Sequence, residues 1–188
     1  MSTTHLAPRT DLPTDPTGPV ALDPDALVGI AKGIAASPLW TQHAQHDRDD
    51  RRPVRLLATP SYEVWVLGWV SGQGVELHDH GDAAGAIVVT EGTLTEIVAP
   101  GPIDDTSRIT LQAGAVRAIP TGLVHDVLNL HPEPATSIHV YSPPLSTMTF
   151  YDPIDGHVVR TEAFEPETTA LDPSAAASAL HPSRLTPR

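Results

Sequence analysis

The chain has 188 residues, enough for one domain with a real core and too few for two ordinary ones. Apolar residues make up 40% and charged residues 18%, which fits a globular protein rather than a fibrous or low-complexity one. A formal charge of -12, from 11 Lys and Arg against 23 Asp and Glu, argues against nucleic acid and anionic membrane as partners.

Residues 1–23 carry Pro8, Pro13, Pro16 and Pro19 among Thr and Asp, and are expected to form an extended lead-in. Asp23-Pro24 then supplies an N-cap followed by proline at the first helical position, with Leu27, Ile30, Ala31 and Ile34 at helical spacing. A short amphipathic helix from Pro24 to about Ala36 is predicted. Residues 43–52, HAQHDRDDRR, are charge-dense and read as an exposed turn or loop.

From Val54 the texture changes to short apolar or alternating runs, VRLL, YEVWVLGWV, AGAIVVT, TLTEIVA, SRITLQ, VRAIP and SIHVY, separated by Gly, Pro and Asp. This predicts an all-β domain over residues 24–165, closed into a barrel or jelly roll because closure removes exposed strand edges. Glu91-Gly92, between two such runs, reads as a tight hairpin. Residues 166–188, rich in Ala, Ser and Pro, read as a mobile tail. No run of apolar residues is long enough to cross a membrane, and the N-terminus lacks the basic-then-apolar pattern of a signal peptide, so a cytoplasmic location is expected.

The chain has no cysteine, so a metal would have to be held through nitrogen and oxygen, which directs attention to the ten histidines. His78 and His80 alternate in Leu77-His78-Asp79-His80 and would project from one strand face. His125 follows Ile119-Pro120-Thr121-Gly122, a turn that would deliver it at the start of another strand. Three neutral imidazoles on rigid strands can bind a divalent first-row metal and leave positions open, although a single barrel histidine is more commonly a hydrogen-bonded core residue. His5, His131, His157 and His181 lie in tails or beside turns and read as structural or exposed, and His43 and His46 sit on a solvated face.

The spacing around these histidines is specific. Gly72, five residues, His78-Asp79-His80, Gly85, six residues and Gly92 follow the first motif of the cupin superfamily, with Gly85 where that motif has a glutamate ligand. Gly114, five residues, Pro120, Gly122, His125 and Asn129 follow the second motif in full. The chain therefore resembles the cupins, and the missing glutamate resembles the thiol dioxygenases of the cysteine dioxygenase type I family. VLGWVSGQGVELHDHGDAAGAIVVTEGTLTE and SIHVYSPPLSTMTFYD look like that family's corresponding stretches, so the likeness runs over residues 54–152. Gly85 falls where animal members have a cysteine cross-linked to a tyrosine, and is similar to the bacterial type, in which no cross-link forms.

The resemblance implies Fe(II) on His78, His80 and His125, and Ser137, His139 and Tyr141 as the family's Ser-x-His-x-Tyr outer residues. Tyr141 would also touch substrate, and Arg55 in VRLL takes the position of the arginine that grips the substrate carboxylate. Relatives with glutamine at that place prefer 3-mercaptopropionate. The implied reaction is oxidation of L-cysteine by O2 to cysteine sulfinic acid, with a small thiol and O2 as partners, no nucleic acid or membrane, and a monomer or weak homo-oligomer. Other readings are dioxygenation of 3-mercaptopropionate or another small thiol, a cupin enzyme of another class, or a non-catalytic cupin that binds a small ligand.

Overall fold

The computed structural model describes residues 20–49, 51–99 and 107–164. The predicted lead-in and tail fall almost wholly outside that range. A helix α1 (Pro24–Ala35) and a single 3-10 turn (Pro38–Trp40) precede eleven strands. These are β1 (Val54–Ala58), β2 (Glu63–Trp69), β3 (His78–Asp79), β4 (Ala84–Glu91), β5 (Thr93–Ala99), β6 (Ser107–Gln112), β7 (Val116–Ile119), β8 (Val124–Leu128), β9 (Ala135–Ser142), β10 (Thr147–Tyr151) and β11 (Val158–Ala163). They form two antiparallel sheets, one ordered β1-β2-β9-β4-β7 and the other β11-β10-β3-β8-β5-β6. This is the cupin jelly roll that the sequence leads one to expect.

The helix starts where its cap chemistry demands. Asp23 accepts from the Ala26 amide at 2.8 Å, and Pro24 occupies the first turn, where its missing N–H costs nothing. Its apolar stripe, with Leu27 and Ala31 fully buried, lies on the outer face of the five-stranded sheet against Val64, Val66, Ala86, Val88, Ile138 and Val140. The other face of the same strands turns inward. Trp65, Leu67 and Trp69 of β2, Ile87 and Val89 of β4, and Tyr141 of β9 join Leu94, Leu111, Val127, Met148 and Phe150 in the core between the sheets.

Strand β9 is buried along its whole length because it is covered on both sides, by α1 without and by the barrel core within. Its residues consequently alternate in chemistry. Ile138 and Val140 face the helix, while Ser137, His139 and Tyr141 share the inner face.

One local expectation is overturned. Glu91-Gly92 does not close a hairpin, because β4 pairs with β7 and β9, whereas β5 pairs with β6 and β8 in the other sheet. The chain turns a corner between sheets there. Gly92 has φ +70°, and a Cβ on it would stand 2.3 Å from the Pro134 carbonyl oxygen, so the corner requires glycine. A turn residue between two strand-like runs signals a reversal but does not say whether the strands pair. The stretch over residues 43–52 is the loop expected, with residues 45–49 and Arg52 exposed, and the exception is Arg51, only 1% exposed. This stretch packs on the barrel, with His46 Nε2 3.1 Å from both the Ala135 carbonyl and Thr136 Oγ1.

Candidate metal centre

Strand β3 is only two residues long, yet its place between β10 and β8 fixes the site. His78 stands directly opposite His125 on one side and Phe150 on the other. His80 follows just beyond the strand end, and its ring lies 4.7 Å from that of His78 and 5.2 Å from that of His125. One nitrogen from each of the three rings falls within 4.8 Å of the others, and all three side chains are buried.

The hydrogen bonds around the rings decide which nitrogens face inward. His78 Nδ1 donates to the Glu76 carbonyl at 2.8 Å, and His125 Nδ1 donates to Glu96 Oε1 at 2.9 Å. Each ring therefore keeps its Nε2 lone pair for the centre of the cluster. His78 Nε2 lies 3.1 Å from His80 Nε2, and His125 Nε2 is buried with no protein partner. Three convergent, buried imidazole nitrogens make a donor set that fits a divalent first-row cation. Burial holds His78 and His80 well below the ordinary histidine range, with the neighbouring imidazoles adding to the effect, so both are neutral and able to ligate.

The sequence did not single out Glu96, Glu76 or Trp69. Glu96 is fully buried, and its signal was available, because in TLTEIVA it alternates with Leu94 and Val98 and so must face inward with them. Burial pushes its carboxyl up, but the His125 hydrogen bond, with the Arg117 hydrogen bond and charge behind it, outweighs this and holds it below the usual range. Glu76 has φ +88°, an uncommon conformation for a residue with a side chain, and three contacts impose it. Its amide donates to Asp126 Oδ1 at 3.2 Å, its carboxylate takes Arg160 Nη1 at 2.6 Å, and its carbonyl orients His78.

On the opposite wall, Ser137, His139 and Tyr141 form a chain of contacts. Trp69 Nε1 donates to Ser137 Oγ at 2.9 Å, Ser137 Oγ lies 2.9 Å from His139 Nε2, and His139 Nδ1 lies 3.0 Å from the Tyr141 hydroxyl. Because Ser137 already accepts from Trp69, its own hydrogen goes to His139 Nε2, the acceptor within reach. His139 Nδ1–H then donates to Tyr141, whose hydroxyl hydrogen is left for the cavity. The Tyr141 ring is 4.8 Å from that of His80. A Cβ at Gly85 would come within 2.9 Å of Tyr141 Cδ1, so glycine is what lets this ring sit against β4.

Burial, helped by the charge of Arg51, presses the His139 pKa from 6.5 down to about 3. Below its ordinary value of 6.5 the unfolded chain takes up a proton that the folded chain refuses. The stability contributed by neutral His139 is thus complete above that pH and is lost as the pH falls. We expect the unfolding midpoint of the metal-free protein to drop between about pH 7 and pH 5, and the His139→Gln variant to show a shallower drop.

A small cavity adjoins His78 and His125, lined by Trp65, Leu67, Val75, Val127, Leu145, Met148 and Phe164 with these two histidines, His139 and Tyr141. Arg55 is not part of this lining. It projects to the inner side of β1, with Cζ 5.6 Å from the Trp65 ring centre and Nη1 3.6 Å from Glu63 Oε2. Glu63 sits directly opposite Tyr141 in the β2–β9 ladder, and burial pushes its carboxyl upward. A second guanidinium comes from the stretch that the sequence marks as exposed. Arg51 lies 4.4 Å over the Trp69 ring, with Nε and Nη1 buried and without a hydrogen-bond partner among the described residues, and burial lowers its pKa to about 10. Trp65 and Trp69 thus each carry an arginine on the inner face of β2. Asp152, Asp155 and His157 form another group of ligand-type atoms at the β10–β11 turn, where Asp155 and His157 are exposed and hydrogen-bonded to each other.

The family model for cysteine dioxygenase type I matches residues 30–153, more than half of the chain. The chain belongs to the cysteine dioxygenase type I family. Curated family relatives include cysteine dioxygenase type 1 from Rattus norvegicus, 31% identical over 129 residues, and from Homo sapiens, 27% identical over 129 residues. Each alignment covers 63% of this chain and 64% of the relative, so the chain spans just under two thirds of the relatives' length. Among solved structures, an oxalate oxidase superposes with a TM-score of 0.50 at 20% identity, covering 61% of this chain and 62% of that one, a likeness of fold. The cysteine dioxygenase type I match includes both ligand strands, β9 and the two arginines.

Proposed function

We propose that this chain is a non-haem Fe(II) thiol dioxygenase that oxidises L-cysteine with O2 to cysteine sulfinic acid. The observation that carries the reading is the buried three-histidine cluster with its Nε2 atoms turned inward, next to the hydroxyl of Tyr141, in a member of this family. Iron bound there would supply a dipositive centre on which thiolate and dioxygen chemistry can occur, with three imidazoles as its protein ligands.

The protein's own residues then have separable tasks. His78, His80 and His125 would hold the ion. The Trp69–Ser137–His139 chain orients the Tyr141 hydroxyl so that it donates a hydrogen bond into the cavity, where negative charge develops. Leu67, Val127, Leu145 and Met148 exclude water from that space. Arg55, beside Trp65 at the cavity wall, would read the α-carboxylate. We place the enzyme in the cytoplasm as a monomer or weak homo-oligomer; among the described residues no helix is long and apolar enough to cross a membrane.

The test is oxygen consumption by the iron-loaded protein across L-cysteine, 3-mercaptopropionate and cysteamine, with the product identified by mass. Cysteine as the best substrate, gaining two oxygen atoms, is the expected result; no thiol-dependent oxygen uptake would leave a small-ligand-binding cupin instead. In Tyr141→Phe we expect iron content to be retained and kcat to fall by about 2 to 4 kcal/mol of lost transition-state stabilisation, as when one oriented donor is removed. Unchanged kcat would return this tyrosine to a packing role.

A further inference from the structure

We propose that Glu96 supplies the missing negative charge of this metal centre, acting through His125 as a positioning residue. The inference rests on the metal reading above and concerns a residue which that reading does not use. The cupin pattern places a carboxylate directly on the metal, and here that position is Gly85, whose lack of a side chain accommodates Tyr141. A carboxylate is nonetheless present one bond further out. Glu96 is fully buried on β5, and its Oε1 accepts the Nδ1 hydrogen of His125 at 2.9 Å, while His125 Nε2 faces the other two histidines.

Such a contact does two things at once. It fixes the tautomer with the lone pair on Nε2, and it draws the Nδ1 proton toward the carboxylate, which makes the ring a stronger donor to a cation. Among the described residues, His125 is the one ligand ring that meets a charged group in this way. His78 donates to a neutral carbonyl, and His80 Nδ1 is buried without a partner. The ligand set is therefore electronically unequal.

Arg117 shares the same carboxylate. Its Nε donates to Glu96 Oε2 at 2.7 Å from β7, in the opposite sheet, and its side chain is 32% exposed against 0% for Glu96. Water screens the guanidinium more than it screens the carboxylate, so Arg117 withdraws only part of the negative charge from His125. Arg117 and His125 thus compete for one carboxylate, and this competition predicts effects of opposite sign. A carboxylate serving only to cross-link the sheets would lose its role equally when either partner is removed.

The experiment titrates the metal-free protein with Co(II), read by its visible absorption, alongside circular dichroism as a check on folding. We expect Glu96→Gln to bind Co(II) roughly 10- to 100-fold more weakly than wild type, with a changed absorption envelope. Arg117→Met should bind at least as tightly as wild type, since the carboxylate is then left to His125. The double variant Glu96→Gln/Arg117→Met, in which the amide faces no cation, should remain at least tenfold weaker than Arg117→Met alone. Equal affinity of those last two variants would overturn the proposal, as would an Arg117→Met loss as large as that of Glu96→Gln. If Glu96→Gln fails to fold, the Arg117→Met pair of comparisons decides. A wild-type protein that takes up no cobalt removes the metal reading itself, and the proposal with it.

Discussion

His78→Ala, His80→Ala and His125→Ala are each expected to lose bound iron and thiol-dependent oxygen uptake together. The three Nε2 atoms form one cluster, and its binding energy is not a sum of independent parts. Removing one imidazole leaves two ligands and an open side to the cavity. Turnover should fall by more than about a thousandfold, to background, because no other group can take the ion's place. Measuring iron by elemental analysis and the fold by circular dichroism on the same samples distinguishes loss of the site from loss of the fold. Three variants that load iron fully would sink the assignment.

The second large effect concerns Arg55. If its guanidinium grips the substrate carboxylate, Arg55→Ala should cost on the order of 2 to 4 kcal/mol in kcat/KM for L-cysteine, about 30- to 1000-fold. Cysteamine has no carboxylate and should be nearly indifferent to the change. The neighbourhood makes this a demanding test, because Arg55 already faces Glu63 at 3.6 Å, so a substrate carboxylate enters beside an opposed charge. Arg51, over Trp69 with two buried nitrogens that have no hydrogen-bond partner among the described residues, is the internal control. Should Arg55→Ala fall equally on cysteine and cysteamine while Arg51→Met abolishes the preference for cysteine, the carboxylate belongs to Arg51.

How legible these features were differs by physical cause. Short apolar or alternating runs located β1, β2, β4, β5, β6, β7 and β9, since each carries at least one apolar face. Strands β10 and β11, in TMTFY and VVRTEA, passed unnoticed since their outward positions are polar or exposed and their lengths short. The three histidines were legible through gapped spacing that ties each to a glycine or proline turn. Glu96 was not, since a glutamate in a strand is ordinarily surface, and only its shared face with Leu94 and Val98 betrays its burial. Arg51 was misjudged for the same reason. It lies in a charge-dense stretch whose average polarity says nothing about the one residue folded inward over Trp69.

Glu76 holds more than a hydrogen bond. Its carboxylate is clasped by Arg160, which belongs to the outermost strand of its sheet, stacks 3.7 Å from the Phe150 ring centre, and also engages Glu162. The left-handed backbone that aims the Glu76 carbonyl at His78 is thereby guyed from the rim of the barrel. A single cleavage in the exposed turn over residues 152–157 would slacken that tether without touching a ligand. We expect a protease-nicked protein to keep its sheets while His78 gains rotational freedom, so that the centre loosens before the barrel does.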